Sequence, residues 1–156
     1  MSNKTIIVFS GDLDKAMASL IIANGAAAMG DEVTMFYTFW GLNVLRKAQR
    51  IKVRKDFMEA MFGWMMPRGA ARLGLSKMNF AGAGAVMMRS IMKKKNVRAL
   101  PDLLEDAQMM GVKMIACTMS MDVMGIHKEE LIDGIEYAGV ATYLGEADNA
   151  NVNLFI

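Results

Sequence analysis

Short apolar, β-branched runs alternate with helix-period segments along most of this chain. Residues 4–9 (KTIIVF) have the length and composition of a buried parallel strand, and Ser10, Gly11 and Asp12 break the run. Across 13–29, Ala16, Leu20, Ala23 and Ala27 recur on one helical face before Gly30 and Asp31 end the helix. Residues 32–37 (EVTMFY) supply a second strand, with Thr38, Phe39, Trp40 and Gly41 as the loop at its carboxyl end. The pattern resumes near Pro101, which opens a helix lined by Leu103, Leu104, Ala107 and Met110 and stopped by Gly111. A strand follows at 112–116 (VKMIA), with Cys117 immediately after it. The stretch 119–132 has room for one or two short helices; a strand at 136–140, a helix at 141–150 and a last strand at 151–156 complete the chain. This alternation predicts one α/β domain over residues 1–156, built on a five-stranded, mainly parallel, doubly wound sheet covered on both faces.

The segment 46–98 interrupts the alternation as a Met-rich helical insertion. Phe57, Met61 and Met65 share one helical stripe, and Met58, Phe62 and Met66 another, until Pro67. Arg68, Arg72, Lys77 and Arg89 keep any apolar run short of the roughly 18 residues a membrane span needs. Charge sharpens the contrast: the insertion holds 14 of the 18 basic residues and 2 of the 16 acidic ones, so it carries +12 and the rest of the chain −10. Such a block suits solvated surface balanced by the acidic remainder or by a second subunit, and no nucleic acid is expected. Apolar and basic residues together also suit peripheral contact with an anionic membrane. Gly82 and Gly84 imitate a phosphate loop only weakly, lacking a third glycine and a preceding strand.

Composition narrows the class. A chain of 156 residues, 54% hydrophobic and with 2 prolines, can bury a complete core and is neither disordered nor a disulfide scaffold. Lys4 leads straight into a strand rather than a secretion signal, so export is not expected. The single cysteine has no intramolecular partner, which favours a reducing compartment, the cytoplasm.

Cys117 is the leading chemical candidate, because ligands of open α/β sheets gather outside the carboxyl ends of the strands. A thiol placed before a helix also feels unpaired backbone N–H groups that favour thiolate; the competing reading is a small core residue. Thr118 and Ser120 can donate hydrogen bonds, and Asp122 can cap a helix or hold a partner. Met119, Met121 and Met124 can wall the sulfur. His127, the only histidine, can neighbour the thiol or lie on the surface, and is too isolated for a zinc site; no metal or cofactor is expected. Gly11 and Asp12 after the first strand, and Phe39 and Trp40 after the second, should emerge on the same sheet edge and border the Cys117 cleft.

With its opening SGDLDKAMASLIIANGAAAMG, the segment VTMFYTFWGLNVLRK, the Met-rich middle and the motif ACTMSMDVMGI around Cys117, the chain resembles the DsrE/DsrF/DsrH-like superfamily. Its DsrE-like branch, sometimes labelled a peroxiredoxin family, is the most similar. The resemblance implies a compact α/β fold in homo-oligomers, and a motif cysteine, here Cys117, that accepts and passes sulfane sulfur as a persulfide. Donor persulfides and acceptor thiol proteins are then the partners. Two alternatives stay open at this point: a noncatalytic interaction or membrane-surface protein using the insertion, and a one-cysteine thiol peroxidase. A peroxidase needs a resolving thiol that this chain does not supply.

Overall fold

A computed structural model describes residues 1–156 and shows one parallel sheet of order β4-β3-β2-β1-β5. The strands are β1 Asn3–Val8, β2 Glu32–Tyr37, β3 Lys113–Cys117, β4 Glu136–Ala138 and β5 Val152–Phe155. Ile6 stands opposite Met35, and Met35 opposite Met114, so the apolar phases of the three central strands coincide. Those residues, with Val8, Val33, Tyr37 and Ala116, form one sheet face, buried under α1 (Leu13–Ala28) and α5 (Leu100–Met109). The other face turns Phe36, Ile115 and Cys117 toward α7 (Val140–Asp148).

Topology explains the division. From β1 to β4 each connection steps one strand in the same direction, and right-handed crossovers lay their helices on one face. The final connection returns from β4 past three strands to β5, so the same handedness sends α7 to the opposite face. The sheet is thus covered on both faces, but unequally: α7 alone serves the second, where Ile7 stays half-buried and Phe155 is exposed.

Element bounds differ from the expectation in informative places. Cys117 ends β3 instead of following it, paired with Ala138 of β4. β4 stops at Ala138, and Gly139 is the N-cap residue of α7, which starts at Val140. Residues 39–41 are a 3-10 turn running into α2 (Leu42–Leu45), not an open loop. Met110, expected on the buried face of α5, caps that helix and is exposed.

The insertion folds as α3 (Phe57–Met65) and α4 (Ala83–Lys94). Between them, Leu73 and Ala70 enter the main core. Ser76 donates from its N–H and its hydroxyl to Asp14, and the Leu13 N–H bonds Gly74 O at 2.7 Å, fastening this stretch to the start of α1. Just before Pro67, Met66 is buried in the core, while the other members of both stripes, Phe57, Met58, Met61, Phe62 and Met65, are exposed, as is Trp64.

Candidate functional site

Cys117 closes β3 and is the N-cap residue of α6 (Thr118–Met124), where the backbone is still extended (φ −70°, ψ 114°). The thiol belongs to a small apolar cluster with Phe36, Ile115 and Tyr143, backed by Ile7, Ala138 and Ala147. At 3% exposure Cys117 is buried, not open at the strand end. Tyr143 of α7 packs in the same cluster, its ring meeting Phe36 at 5.1 Å and its hydroxyl lying 3.2 Å from Thr5 Oγ1.

The neighbouring strand ends are locked backbone against backbone. A Cβ on Gly41 would stand 2.0 Å from Val8 O, and one on Gly11 2.6 Å from Trp40 O, so only glycine permits these loops to meet. Phe39 takes a left-handed backbone (φ 47°), unusual for a bulky residue, and packs on Phe9 with ring centres 5.7 Å apart. Trp40, 45% exposed, reaches across to Phe62 of α3 at 6.1 Å. Asp12 is the N-cap residue of α1 but makes no side-chain capping bond; its carboxylate pairs with Lys15 at 3.6 Å. Gly11, Asp12, Phe39 and Trp40 therefore lie at the carboxyl edge of the sheet, but none of them belongs to the apolar cluster that buries Cys117.

The expected supporters of the thiol divide into groups. Ser120 is buried, and its hydroxyl is engaged with Thr38 Oγ1 at 2.6 Å, tying α6 to the end of β2. Met121 and Met124 enter the main core, and Met119 is exposed, so the wall at the sulfur is aromatic and aliphatic instead of methionine-built. Thr118, Asp122 and His127 line a cavity of about 290 Å³ together with Glu59 of α3. Cys117 does not line it. His127 Nε2 faces Glu59 Oε2 at 4.0 Å, and its backbone N–H donates to Glu130 Oε2 at 2.8 Å.

Sequence reasoning missed Phe36, Ile115 and Tyr143. The off-phase position of Phe36 in VTMFY placed it on the second face, but nothing in the pattern said that α7 would cross there. It also missed Glu130, buried and hydrogen-bonded by the Lys55 ammonium. Burial opposes ionisation of this carboxyl, yet the His127 N–H and Lys55 outweigh it and hold the group below the usual carboxylate range.

The model of the DsrE/DsrF/DrsH-like family matches residues 1–155. The chain is 62% identical over 152 residues to the uncharacterized protein YrkE of Bacillus subtilis, covering 97% of this chain and 95% of that protein. It is 39% identical over 155 residues to the sulfur carrier protein DsrE2 of Allochromatium vinosum, covering 97% and 96%. Among solved structures, the ychN protein of E. coli aligns over 100% of both chains with a TM-score of 0.59 at 11% identity. A protein of unknown function, MTH1491 from Methanobacterium thermoautotrophicum, aligns over 99% of both with a TM-score of 0.55 at 10% identity. These two show the α/β fold.

Proposed function

The chain belongs to the DsrE/DsrF/DrsH-like family, and from that premise we propose that it is a sulfur carrier that holds sulfane sulfur as a persulfide on Cys117. The observation that carries the proposal is the relative named a sulfur carrier, aligned at 39% identity across nearly the whole of both chains, with the only cysteine of this chain standing at a strand end.

In the loading step the Cys117 thiolate attacks the outer sulfur of a donor persulfide. A new S–S bond forms at Cys117, the donor's S–S bond breaks, and the donor leaves as a thiolate. In the unloading step an acceptor thiolate attacks the terminal sulfur and releases Cys117 as thiolate. Each step exchanges one S–S bond for another, so no external oxidant or reductant is consumed and one cysteine suffices. Free thiol chemistry of this kind belongs in a reducing compartment, and we assign it to the cytoplasm.

Burial of Cys117 adds a condition. A thiol 3% exposed cannot be reached in line until part of its surroundings moves, and we place that movement in α7, the nine-residue helix that brings Tyr143 and Ala147 to the cluster. The apolar surroundings shelter a loaded persulfide from bulk thiols between the two steps. Donor and acceptor proteins then act by opening α7 as well as by supplying sulfur.

The same reading includes self-association. α3 exposes Phe57, Met58, Met61, Trp64 and Met65, apolar side chains of the kind a subunit contact covers, and the +12 insertion complements the −10 remainder of a second copy. Replacing Cys117 with Ser tests the central step: the variant is expected to fold normally and to take up no sulfur from a polysulfide donor. Uptake equal to the wild type would contradict the role given to Cys117.

A further inference from the structure

Four charged side chains meet inside the fold, three from the insertion around α3 and one, Glu130, from the segment after α6. Lys55 Nζ lies 2.8 Å from the Glu130 carboxylate, and Arg46 Nη2 and Arg68 Nη1 each lie 3.8 Å from its Oε1. The side chains are enclosed: Arg46 and Glu130 are at most 1% exposed, Lys55 9% and Arg68 15%. No other carboxylate pairs with these three cations, so one buried negative charge faces three positive ones.

Hydrogen bonding is equally unbalanced. Arg46 donates to Asn43 Oδ1 and Pro67 O at 3.4 Å and to Gly63 O at 3.2 Å, all at or beyond the long end of the ordinary range. Arg46 Nε and Arg68 Nη1 are buried with no acceptor. Burial first, and then the nearby Arg68, draw the Arg46 guanidinium below its usual proton affinity, and Glu130 offsets them only in part. Uncompensated buried charge of this kind is costly, and folded proteins supply it with a partner.

The geometry points to a buried anion site, in which Arg46 Nε and Arg68 Nη1 hold one small monovalent inorganic anion, of chloride size, beside Glu130. Enclosure sets the size: with Arg46 and Glu130 at most 1% exposed and Lys55 9%, the site is too closed for an organic anion or a partner's carboxylate. Lys55 and Arg68 bracket α3, and Glu130 lies on the segment that follows α6, so the ion sets how α3 seats against α6. This role is separate from sulfur transfer and stands whether or not Cys117 carries sulfur.

Thermal unfolding of the whole chain in sodium chloride and in sodium gluconate, at equal ionic strength, tests the site. Wild-type Tm is expected to rise saturably with chloride, by roughly 2–4 °C, because an ion that binds only the folded state stabilises it by mass action. Arg68→Gln removes one excess cation and is expected to unfold at a higher temperature than wild type in gluconate, with no response to chloride. Crystals grown with bromide should show anomalous scattering within hydrogen-bond reach of Arg46 Nε and Arg68 Nη1. Equal Tm of the wild type in both salts, an unchanged chloride response in Arg68→Gln, or no bromide at the two nitrogens would each overturn the assignment.

Discussion

Asp31, in the turn between α1 and β2, ties that turn to the start of β1 through the Lys4 ammonium and the Ser2 hydroxyl and N–H. The Lys4 hydrogen bond first, and Ser2 next, lower its carboxyl from an ordinary 3.8 to about 2. A folded value below the unfolded one makes this contribution complete above the unfolded pKa of 3.8, and it is lost as the pH falls toward 2. Asp31→Asn is therefore expected to lower stability at neutral pH and to flatten the acid limb of the stability curve between pH 4 and 2, measured by urea unfolding; an acid limb identical to wild type would contradict the tie. Legibility at this scale depended on separation along the chain. Cys117, Gly11, Phe39 and Trp40 stood out in the sequence because strand-end position is local information. The pairing of Lys55 with Glu130, and of Thr38 with Ser120, was not legible, since hydrophobic periodicity says which face a residue occupies and nothing about which distant side chain it meets.

Among the elements, α7 carries the most consequence for chemistry because it alone covers the face on which Cys117 is buried. Deleting the Tyr143 ring removes a buried aromatic and its hydrogen bond to Thr5, costing about 3 kcal/mol. Much of that loss falls on the closed position of α7, so alkylation of native Cys117 in Tyr143→Ala should accelerate by roughly tenfold or more, each 1.4 kcal/mol being a factor of ten. Tyr143→Phe keeps the ring and should alkylate at close to the wild-type rate. Equal rates in all three proteins would show that access to the thiol does not run through α7. Strands β1 and β2 were readable from composition because buried parallel strands are short β-branched runs bounded by glycine and acidic residues. The limits of β4 were not, since residues 136–140 look extended while Gly139 already caps the next helix and Val140 begins it. The turn at residues 39–41 was hidden for a different reason: its Phe39 is left-handed (φ 47°), a conformation that a bulky residue rarely adopts and that no local pattern announces.

At the scale of the whole molecule, the charge asymmetry and the methionine stripes in the sequence pointed to a surface in need of cover. The structure moves Met66 out of that surface and leaves the rest of α3 in it. Light scattering at micromolar concentration should report an oligomer, and Met61→Asp with Met65→Asp should dissociate it, because a buried carboxylate at an apolar interface lacks a partner. A stable wild-type monomer would contradict self-association, and binding of that monomer to anionic vesicles would assign the face to a lipid surface instead. No helix is long and apolar enough to cross a membrane. Sulfur transfer itself is tested most directly by peptide mass spectrometry of the intact wild-type chain after incubation with a polysulfide donor. The peptide containing Cys117 is expected to gain the mass of one or more sulfur atoms, removed by a thiol acceptor with return of the unmodified cysteine; an unmodified Cys117 peptide from folded, donor-treated protein would contradict the persulfide role.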